Sequence, residues 1–193
     1  MDDSGLIERS REGDLDAFNQ LVERYQRAVY SLALRMLGDR ESAEDASQDA
    51  FVSAWRSIGR FKGGSFKAWL LSITANACRD QLRKRKRNPT TPLEELLIEP
   101  QAGPSQESPE DYALRRELGK QIREGLASLP EEQRLAVVLF DMEGLTYEEM
   151  SQVMRCSIGT VRSRLSRGRL RLRDYMVRKG TLPPGISSHQ LEE

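Results

Sequence analysis

Histidine and cysteine are scarce in this 193-residue chain, which contains one histidine, His189, and two cysteines, Cys78 and Cys156. A single histidine leaves little room for general acid–base catalysis or for a histidine-ligated metal. The two cysteines are far apart in sequence, which fits neither a zinc motif nor a disulfide framework, and favours a reducing cytoplasm. The acidic clusters lack a neighbouring nucleophile. We therefore expect no enzymatic activity, no metal and no cofactor.

Long apolar runs and strand-like alternation are also missing. No stretch approaches the ~18 apolar residues that a membrane-spanning helix needs, so no membrane insertion is expected. The N-terminus is acidic and lacks the apolar segment of a secretory signal. Hydrophobic residues make up 38% of the chain and charged residues 31%. This composition is sufficient for small helical cores.

Proline, glycine and serine concentrate in one acidic segment and predict a flexible linker over residues 89–108. We predict an all-α fold of two small helical domains, residues 1–88 and 109–180, joined by this linker, with a disordered tail over residues 181–193.

Charge is segregated along the chain although the net charge is zero. Residues 60–90 contain nine Lys or Arg and one acidic residue, and residues 155–180 have the same counts. Residues 91–111 contain six acidic residues and no Lys or Arg. Two separate basic blocks indicate two contacts with a polyanion such as DNA; solvated helix faces are the alternative.

Apolar residues at three- and four-residue steps predict three helices in the first unit. The first covers residues 17–37, capped by Asp14 or Asp16, and the second covers residues 41–58 with an inner face of alanines. A third begins after Ser65, a suitable N-cap, and continues into the basic run 83–87. Weak helix formers at residues 73–76 would allow a local break in this third helix.

The segment from Thr146 to Arg169 predicts a helix-turn-helix. Thr146 and Glu149 have the spacing of a capping box, residues 155–157 form the turn, and a basic helix begins near Ile158. Apolar side chains at 150, 153, 158, 161 and 165 are spaced to pack the two helices together. The second helix would fit the major groove of DNA. Its outward residues would be Thr160, Arg162, Ser163, Arg164 and Arg167. An ordinary helical hairpin with a charged outer face is the alternative.

Several short motifs resemble those of bacterial extracytoplasmic-function sigma factors. The runs 129–134 (LPEEQR), 145–150 (LTYEEM) and 159–165 (GTVRSRL) are similar to the C-terminal module of that family. Residues 16–18, 43–51 (AEDASQDAF) and 69–70, with Leu21, Val22 and Ala75-Asn76, are similar to the N-terminal module. Ser151, the turn Arg155-Cys156 and the tail depart from the family pattern.

The resemblance implies an alternative sigma factor that binds the largest subunits of core RNA polymerase and promoter DNA, both duplex and single-stranded, and that has an anti-sigma partner. The first module would recognise and melt the minus-ten element, and the second would read the minus-thirty-five element.

Three sets of site residues follow from this resemblance. The polymerase-binding set is Asp45, Gln48, Asp49, Val52 and Arg56. The minus-ten set is Lys62, Trp69, Asn76, Arg79, Arg83 and Lys84. The minus-thirty-five set is Ser157, Thr160, Arg162, Ser163, Arg164 and Arg167.

Unpaired bases would be held in one of two places. Phe61, Phe66 and Trp69 could stack on extruded bases. Phe66 and most of Trp69 also have the spacing of core residues, so we expect a loop around residues 72–76 to capture a base, with Asn76 reading its edge.

Two rival functions remain open from sequence. A conventional helix-turn-helix regulator would bind DNA alone, usually as a dimer on a palindromic site. A polymerase-binding decoy would have lost its DNA contacts. The acidic linker could follow a path toward the polymerase active site or serve only as a solvated spacer.

Overall fold

The computed structural model describes residues 3–87 and 109–182, and every regular element within these two ranges is helical. The predicted all-α class is therefore confirmed. The predicted linker over residues 89–108, and the predicted tail from residue 183 onward, lie outside the described residues.

Four helices form the N-terminal domain: α1 (Ser4–Arg11), α2 (Leu15–Leu37), α3 (Arg40–Ser57) and α4 (Phe66–Arg87), with a 3-10 turn at Ile58–Arg60. The short α1 was not predicted, because eight residues with two adjacent apolar side chains give no periodic signal. The allowed break in α4 does not occur. Ser72 and Thr74 donate their hydroxyls to carbonyls of the same helix, at 2.6 and 3.0 Å, and the helix continues through both.

The corner between α2 and α3 is built from capping residues. Gly38 has the left-handed conformation (φ 84°) that ends α2, and the Asp39 carboxylate accepts the backbone N–H of Ser42 at 2.9 Å. Arg85 of α4 donates to the carbonyl of Leu37 at 3.0 Å and also binds Asp39 and Ser42. Burial raises the pKa of Asp39, but the Ser42 amide and the Arg85 guanidinium outweigh it and lower the pKa. Arg85 is thus a structural residue at this corner.

The second domain contains α5 (Pro109–Ala127), α6 (Glu131–Val137), a π-helical turn (Val138–Met142), α7 (Tyr147–Met154) and α8 (Ile158–Arg178). The capping box between Thr146 and Glu149 is present at the start of α7. Arg155 turns the chain with a left-handed φ of 51°, and the Ser151 hydroxyl closes the turn by donating to the Cys156 carbonyl at 2.7 Å. Ser151 therefore has a role in the turn that alanine could not fill.

The two domains pack against each other and share one apolar cluster, which was not predicted. Side chains from α2, α3 and α4 join those from α5 to α8 in this cluster, and α4 packs on α7. Arg134 of α6 donates to the carbonyl of Met36 at the end of α2 (2.6 Å) and to that of Ala127 at the end of α5 (2.7 Å). A cation at the C-terminal ends of two helices is favourable, so Arg134 joins the domains.

Candidate polymerase and nucleic-acid interfaces

Helix α3 has one buried and one open face. Its alanines at 43, 46, 50 and 54 are fully buried, so α3 lies close to its neighbours. The opposite face presents the predicted polymerase-binding residues, all of which are exposed: Asp45, Gln48, Asp49, Val52 and Arg56. Val52 is 48% exposed. Val52 is thus an exposed apolar side chain on a face that is otherwise polar or charged.

A cleft of about 430 Å³ lies where the loop 57–65 meets the first turns of α4. Three of the predicted minus-ten residues line it, namely Lys62, Trp69 and Asn76. The expectation that residues 72–76 form a base-capturing loop is wrong, because these residues are helical. The irregular backbone beside the cleft belongs to residues 61–65 instead.

The aromatic side chains beside this cleft form a packed cluster. The ring centroids of Phe61, Phe66 and Trp69 lie 5.3–5.5 Å from one another. Phe61 and Phe66 are buried, so the suggestion that Phe61 stacks on DNA bases is wrong, and the core role expected for Phe66 is confirmed. Trp69 is only partly buried and borders the cleft. Trp69 is therefore the most accessible ring of this cluster.

The remaining minus-ten residues differ in accessibility. Arg83 and Lys84 are exposed on α4, with Arg83 paired to Asp80 at 3.3 Å. Arg79 is only 15% exposed, and its guanidinium lies 3.1 Å from a carboxylate oxygen of Glu132 and 3.6 Å from one of Glu131. Arg79 is thus bound by the other domain.

Helix α8 presents most of the predicted minus-thirty-five residues. Arg162 and Arg167 are exposed, and Thr160 and Ser163 are partly exposed. Ser157 is the N-cap of α8, since its hydroxyl oxygen accepts the backbone N–H of Thr160 at 3.2 Å.

Arg164 does not project outward as expected. Position 164 lies three residues after Val161 and four before Gly168, both of which are buried, so its side chain is directed toward α6. Its guanidinium nitrogen lies 2.6 Å from a carboxylate oxygen of Glu132 and 3.5 Å from the sulfur of Cys156.

One carboxylate therefore binds an arginine from each basic block. The two oxygens of Glu132 contact Arg79 of α4 and Arg164 of α8 respectively. In addition, Gln152, Val153 and Arg155 of the second domain line the cleft beside Trp69. In this arrangement the second domain covers part of the predicted minus-ten surface.

A second acidic residue strengthens the domain contact. Glu143 accepts the Ser31 hydroxyl at 2.8 Å, and the Lys67 ammonium lies 3.3 Å from its carboxylate and 2.6 Å from its backbone carbonyl oxygen. The side chain of Glu143 is 7% exposed. Neither Glu132 nor Glu143 was singled out from sequence, since no local pattern links an acid to a base on another domain.

The cysteines give no sign of a reactive pair. Cys78 is buried in the shared cluster, and burial raises the pKa of its thiol to about 12. Cys156 is partly exposed in the helix-turn-helix turn. Within residues 3–87 and 109–182 no group of three or more metal-ligating side chains comes together, and no helix there is long and apolar enough to cross a membrane.

Two family models match the chain, and together they cover both domains. Sigma-70 region 2 matches residues 21–88, and Sigma-70 region 4 matches residues 119–172. The first match contains α3, α4 and the loop 61–65, and the second contains the helix-turn-helix.

Curated relatives agree with this assignment over most of their length. The chain is 39% identical to the RNA polymerase sigma-H factor of Pseudomonas aeruginosa and 38% identical to the ECF RNA polymerase sigma-E factor of Escherichia coli K12. Each alignment covers 86% of this chain and 90% of the relative.

Two solved structures have the same fold. The structure of CnrH in complex with the cytosolic domain of CnrY has a TM-score of 0.68 at 26% identity, covering 90% of this chain and 96% of that one. The sigma factor RpoE in complex with the anti-sigma factor NepR from Bartonella quintana has a TM-score of 0.67 at 30% identity, covering 82% and 96%. The chain belongs to the extracytoplasmic-function family of RNA polymerase sigma factors.

Proposed function

We propose that this protein binds core RNA polymerase in the cytoplasm and directs it to start transcription at a specific set of promoters, with no catalytic activity of its own. The observation that carries the proposal is the presence, on one chain, of sigma regions 2 and 4 with a separate cationic helix in each, α4 and α8. The face of α3 is the proposed contact with the largest polymerase subunits.

The two cationic helices have different DNA targets in this proposal. The cleft beside Trp69 accepts an unpaired base of the minus-ten element, while Lys62, Arg83 and Lys84 contact the backbone phosphates. Helix α8 lies in the major groove of the minus-thirty-five element, where Arg162 and Arg167 contact base edges and phosphates. The first contact requires separated strands and the second requires intact duplex.

Simultaneous binding requires the domains to move apart. The two promoter elements are separated by about 25 base pairs, which corresponds to roughly 80 Å of duplex at ~3.4 Å per step. In the described arrangement α4 packs directly on α7, and Glu132 forms ion pairs with Arg79 and Arg164. We therefore assign this arrangement to the resting protein, and propose that binding to the polymerase separates the domains.

An anti-sigma factor is the second proposed partner. The two solved structures described above are complexes, one with the cytosolic domain of CnrY and one with the anti-sigma factor NepR. A protein that binds both domains in their packed arrangement would keep α4 and α8 from DNA. Co-purification with a partner that blocks transcription in vitro tests this point, and a chain that copurifies with no inhibitor under any growth condition would argue against it.

Run-off transcription with purified core polymerase and a promoter library tests the main proposal. We expect transcripts with defined start points that depend on the protein. Arg162→Ala or Arg167→Ala should reduce transcription from promoters with the matching upstream element. If the side chain binds a base, its loss should weaken promoter binding by about 1–3 kcal/mol. If the protein instead binds a specific duplex tightly without polymerase, and polymerase starts no RNA in its presence, it is a conventional regulator.

A further inference from the structure

Four side chains form a continuous series of contacts along α8 in the second domain. The Cζ atom of Arg162 lies 5.1 Å from the centroid of the Tyr147 ring. The Tyr147 ring stacks on the Phe140 ring at 5.1 Å with an interplanar angle of 22°. The Cζ atom of Arg169 lies 5.0 Å from the Phe140 centroid. Only Arg162 belongs to the predicted DNA-binding residues.

The Arg169 end of this series is held by an ion pair. The Nε atom of Arg169 lies 3.1 and 3.2 Å from the two carboxylate oxygens of Asp141, and a terminal nitrogen also binds Asp141. A guanidinium held by a carboxylate has little freedom to rotate. Arg169 is therefore a fixed base for the stacked rings.

Phe140 lies in the π-helical turn Val138–Met142. Its wider turn is closed by hydrogen bonds from Glu143 N–H to the Val138 carbonyl and from Leu145 N–H to the Leu139 carbonyl, each 3.0 Å. Val138 and Leu139 are buried in the core, whereas Phe140 is only partly buried and stacks on Tyr147. π-Helical turns are rare and occur often at functional sites.

Arg162 and Arg169 are seven residues apart on α8. Seven residues correspond to two helical turns and about 10 Å, so both arginines lie on one side of α8. The stacked rings thus lie along that side of α8 and connect its anchored arginine to its exposed one.

We propose that Tyr147 is a positioning residue for Arg162, holding its guanidinium ready to bind a guanine edge in the minus-thirty-five duplex; the inference rests on the proposed function. A cation–π contact with the ring does not use the N–H groups of the guanidinium as hydrogen-bond donors, so they remain available for two parallel hydrogen bonds. A side chain that is already ordered loses less conformational entropy on binding. Tyr147 therefore contributes to sequence preference through Arg162 and not through its own hydroxyl.

The test measures sequence preference with reconstituted holoenzyme. A preferred upstream sequence is first selected from a library of random duplexes with the wild type. The affinity for this duplex is then divided by the affinity for a scrambled one. We expect Tyr147→Leu to lower this ratio about three- to ten-fold, the loss that a cation–π contact and one ordered side chain represent. Tyr147→Phe keeps the ring and should stay within about two-fold of the wild type on the same reasoning.

A double-mutant cycle separates positioning from a direct contact. If Tyr147 acts through Arg162, the variant Tyr147→Leu/Arg162→Ala has the same ratio as Arg162→Ala alone. Additive losses would overturn the inference. The inference would also be overturned if Tyr147→Phe and Tyr147→Leu lost affinity equally for both duplexes. That result would mean that the Tyr147 hydroxyl contacts a phosphate.

Asp141→Asn provides a second route if Tyr147→Leu does not fold. It alters a side chain that does not belong to the stacked rings. We expect it to lower the affinity ratio less than Tyr147→Leu does, and to have no effect on the ratio in the Arg162→Ala background. An unchanged ratio for Asp141→Asn, with Tyr147→Leu misfolded, would overturn the inference. A wild-type holoenzyme that selects no upstream sequence would overturn both the proposed function and this inference, whereas normal selection by wild type and by all Tyr147 variants overturns only the inference.

Discussion

Replacing Glu132 by glutamine should make the DNA-binding surfaces of the polymerase-free protein more accessible. Glu132 contacts Arg164 at 2.6 Å and Arg79 at 3.1 Å, and it is the residue through which α6 binds an arginine from each basic block. Glutamine has nearly the same shape but no charge. The substitution therefore weakens two ion pairs across and within the closed domains while leaving the apolar cluster intact.

The magnitude follows from the exposure of the pairs. The Glu132 side chain is 37% exposed, that of Arg164 29% and that of Arg79 15%. Only the contact with Arg79 spans the two domains, since Glu132 and Arg164 both belong to the second domain. Fully exposed pairs contribute about 0.2–1 kcal/mol and hydrogen bonds to charged groups about 1.5–3 kcal/mol, so this one partly exposed pair contributes about 0.5–2 kcal/mol to closure. This corresponds to a shift of about 2- to 30-fold toward the open form. The apparent affinity for DNA rises by up to the same factor as long as the closed form predominates.

The assay compares Glu132→Gln with Glu148→Gln, which removes the same charge from an exposed position at the start of α7. Binding of the free protein to the selected upstream duplex is titrated, and energy transfer between one dye in each domain reports the separation of the domains. Only Glu132→Gln should bind more tightly and show reduced transfer. If both variants bind equally and transfer is unchanged, contacts of Glu132 do not limit access to DNA.

Three further predictions concern polymerase binding, stability and thiol chemistry. Asp49→Arg should weaken binding to core polymerase, measured by titration, because it reverses a charge on the α3 face. The control Glu23→Arg, on the exposed side of α2, should bind as the wild type does. Equal affinities of the two variants for core polymerase would contradict the proposed docking face. Asp39→Ala should lower the free energy of unfolding in urea by about 1 kcal/mol through loss of an N-cap. Because the pKa of Asp39 is lower in the folded than in the unfolded protein, its stabilising contribution is present above the unfolded pKa, near 4, and is lost as the pH falls through the folded pKa. A pH-independent difference between wild type and Asp39→Ala from pH 6 to pH 2 would refute this assignment. An alkylating reagent at pH 8 should modify only Cys156 in the native protein and both cysteines in urea, because Cys78 is buried and its pKa is raised to about 12. Mass spectrometry measures the labelling of each cysteine. Rapid labelling of Cys78 in the native protein would show that the shared core opens.

Local patterns were sufficient to predict most helices. The apolar stripe of α2, the alanine face of α3 and the capping box of α7 each depend on residues within a few turns of one another, and all three are present. The short α1 escaped prediction because its apolar content is too small. The loop expected around Asn76 was wrong because hydroxyl side chains bonded to carbonyls of their own helix do not interrupt α4.

Contacts between distant residues could not be predicted in the same way. Arg83 and Arg85 are two positions apart in one basic run, yet Arg83 is exposed and Arg85 caps the corner between α2 and α3. Arg162 and Arg164 differ likewise, one stacking on Tyr147 and the other binding Glu132. Charge counts predict a polyanion-binding surface, but the partner of each arginine depends on which helix face the tertiary packing covers.

The zero net charge of the chain has a consequence for how DNA binding depends on salt. With 30 basic and 30 acidic residues, the protein can supply carboxylates as counterions for its proposed DNA-binding surfaces, and Glu132 pairs in this way with Arg79 and Arg164. DNA that binds the free protein then exchanges a carboxylate for a phosphate at these two arginines, and opening also exposes a carboxylate to solvent ions. Each phosphate contact contributes about −0.9 to the slope of log K against log salt concentration. The free wild-type protein should therefore have a shallower slope than Glu132→Gln, and the difference should be at most the contribution of about two phosphate contacts. Equal slopes would mean that both arginines are already released from Glu132 in solution, and that the basic surfaces are kept from DNA by the apolar contact between the domains alone.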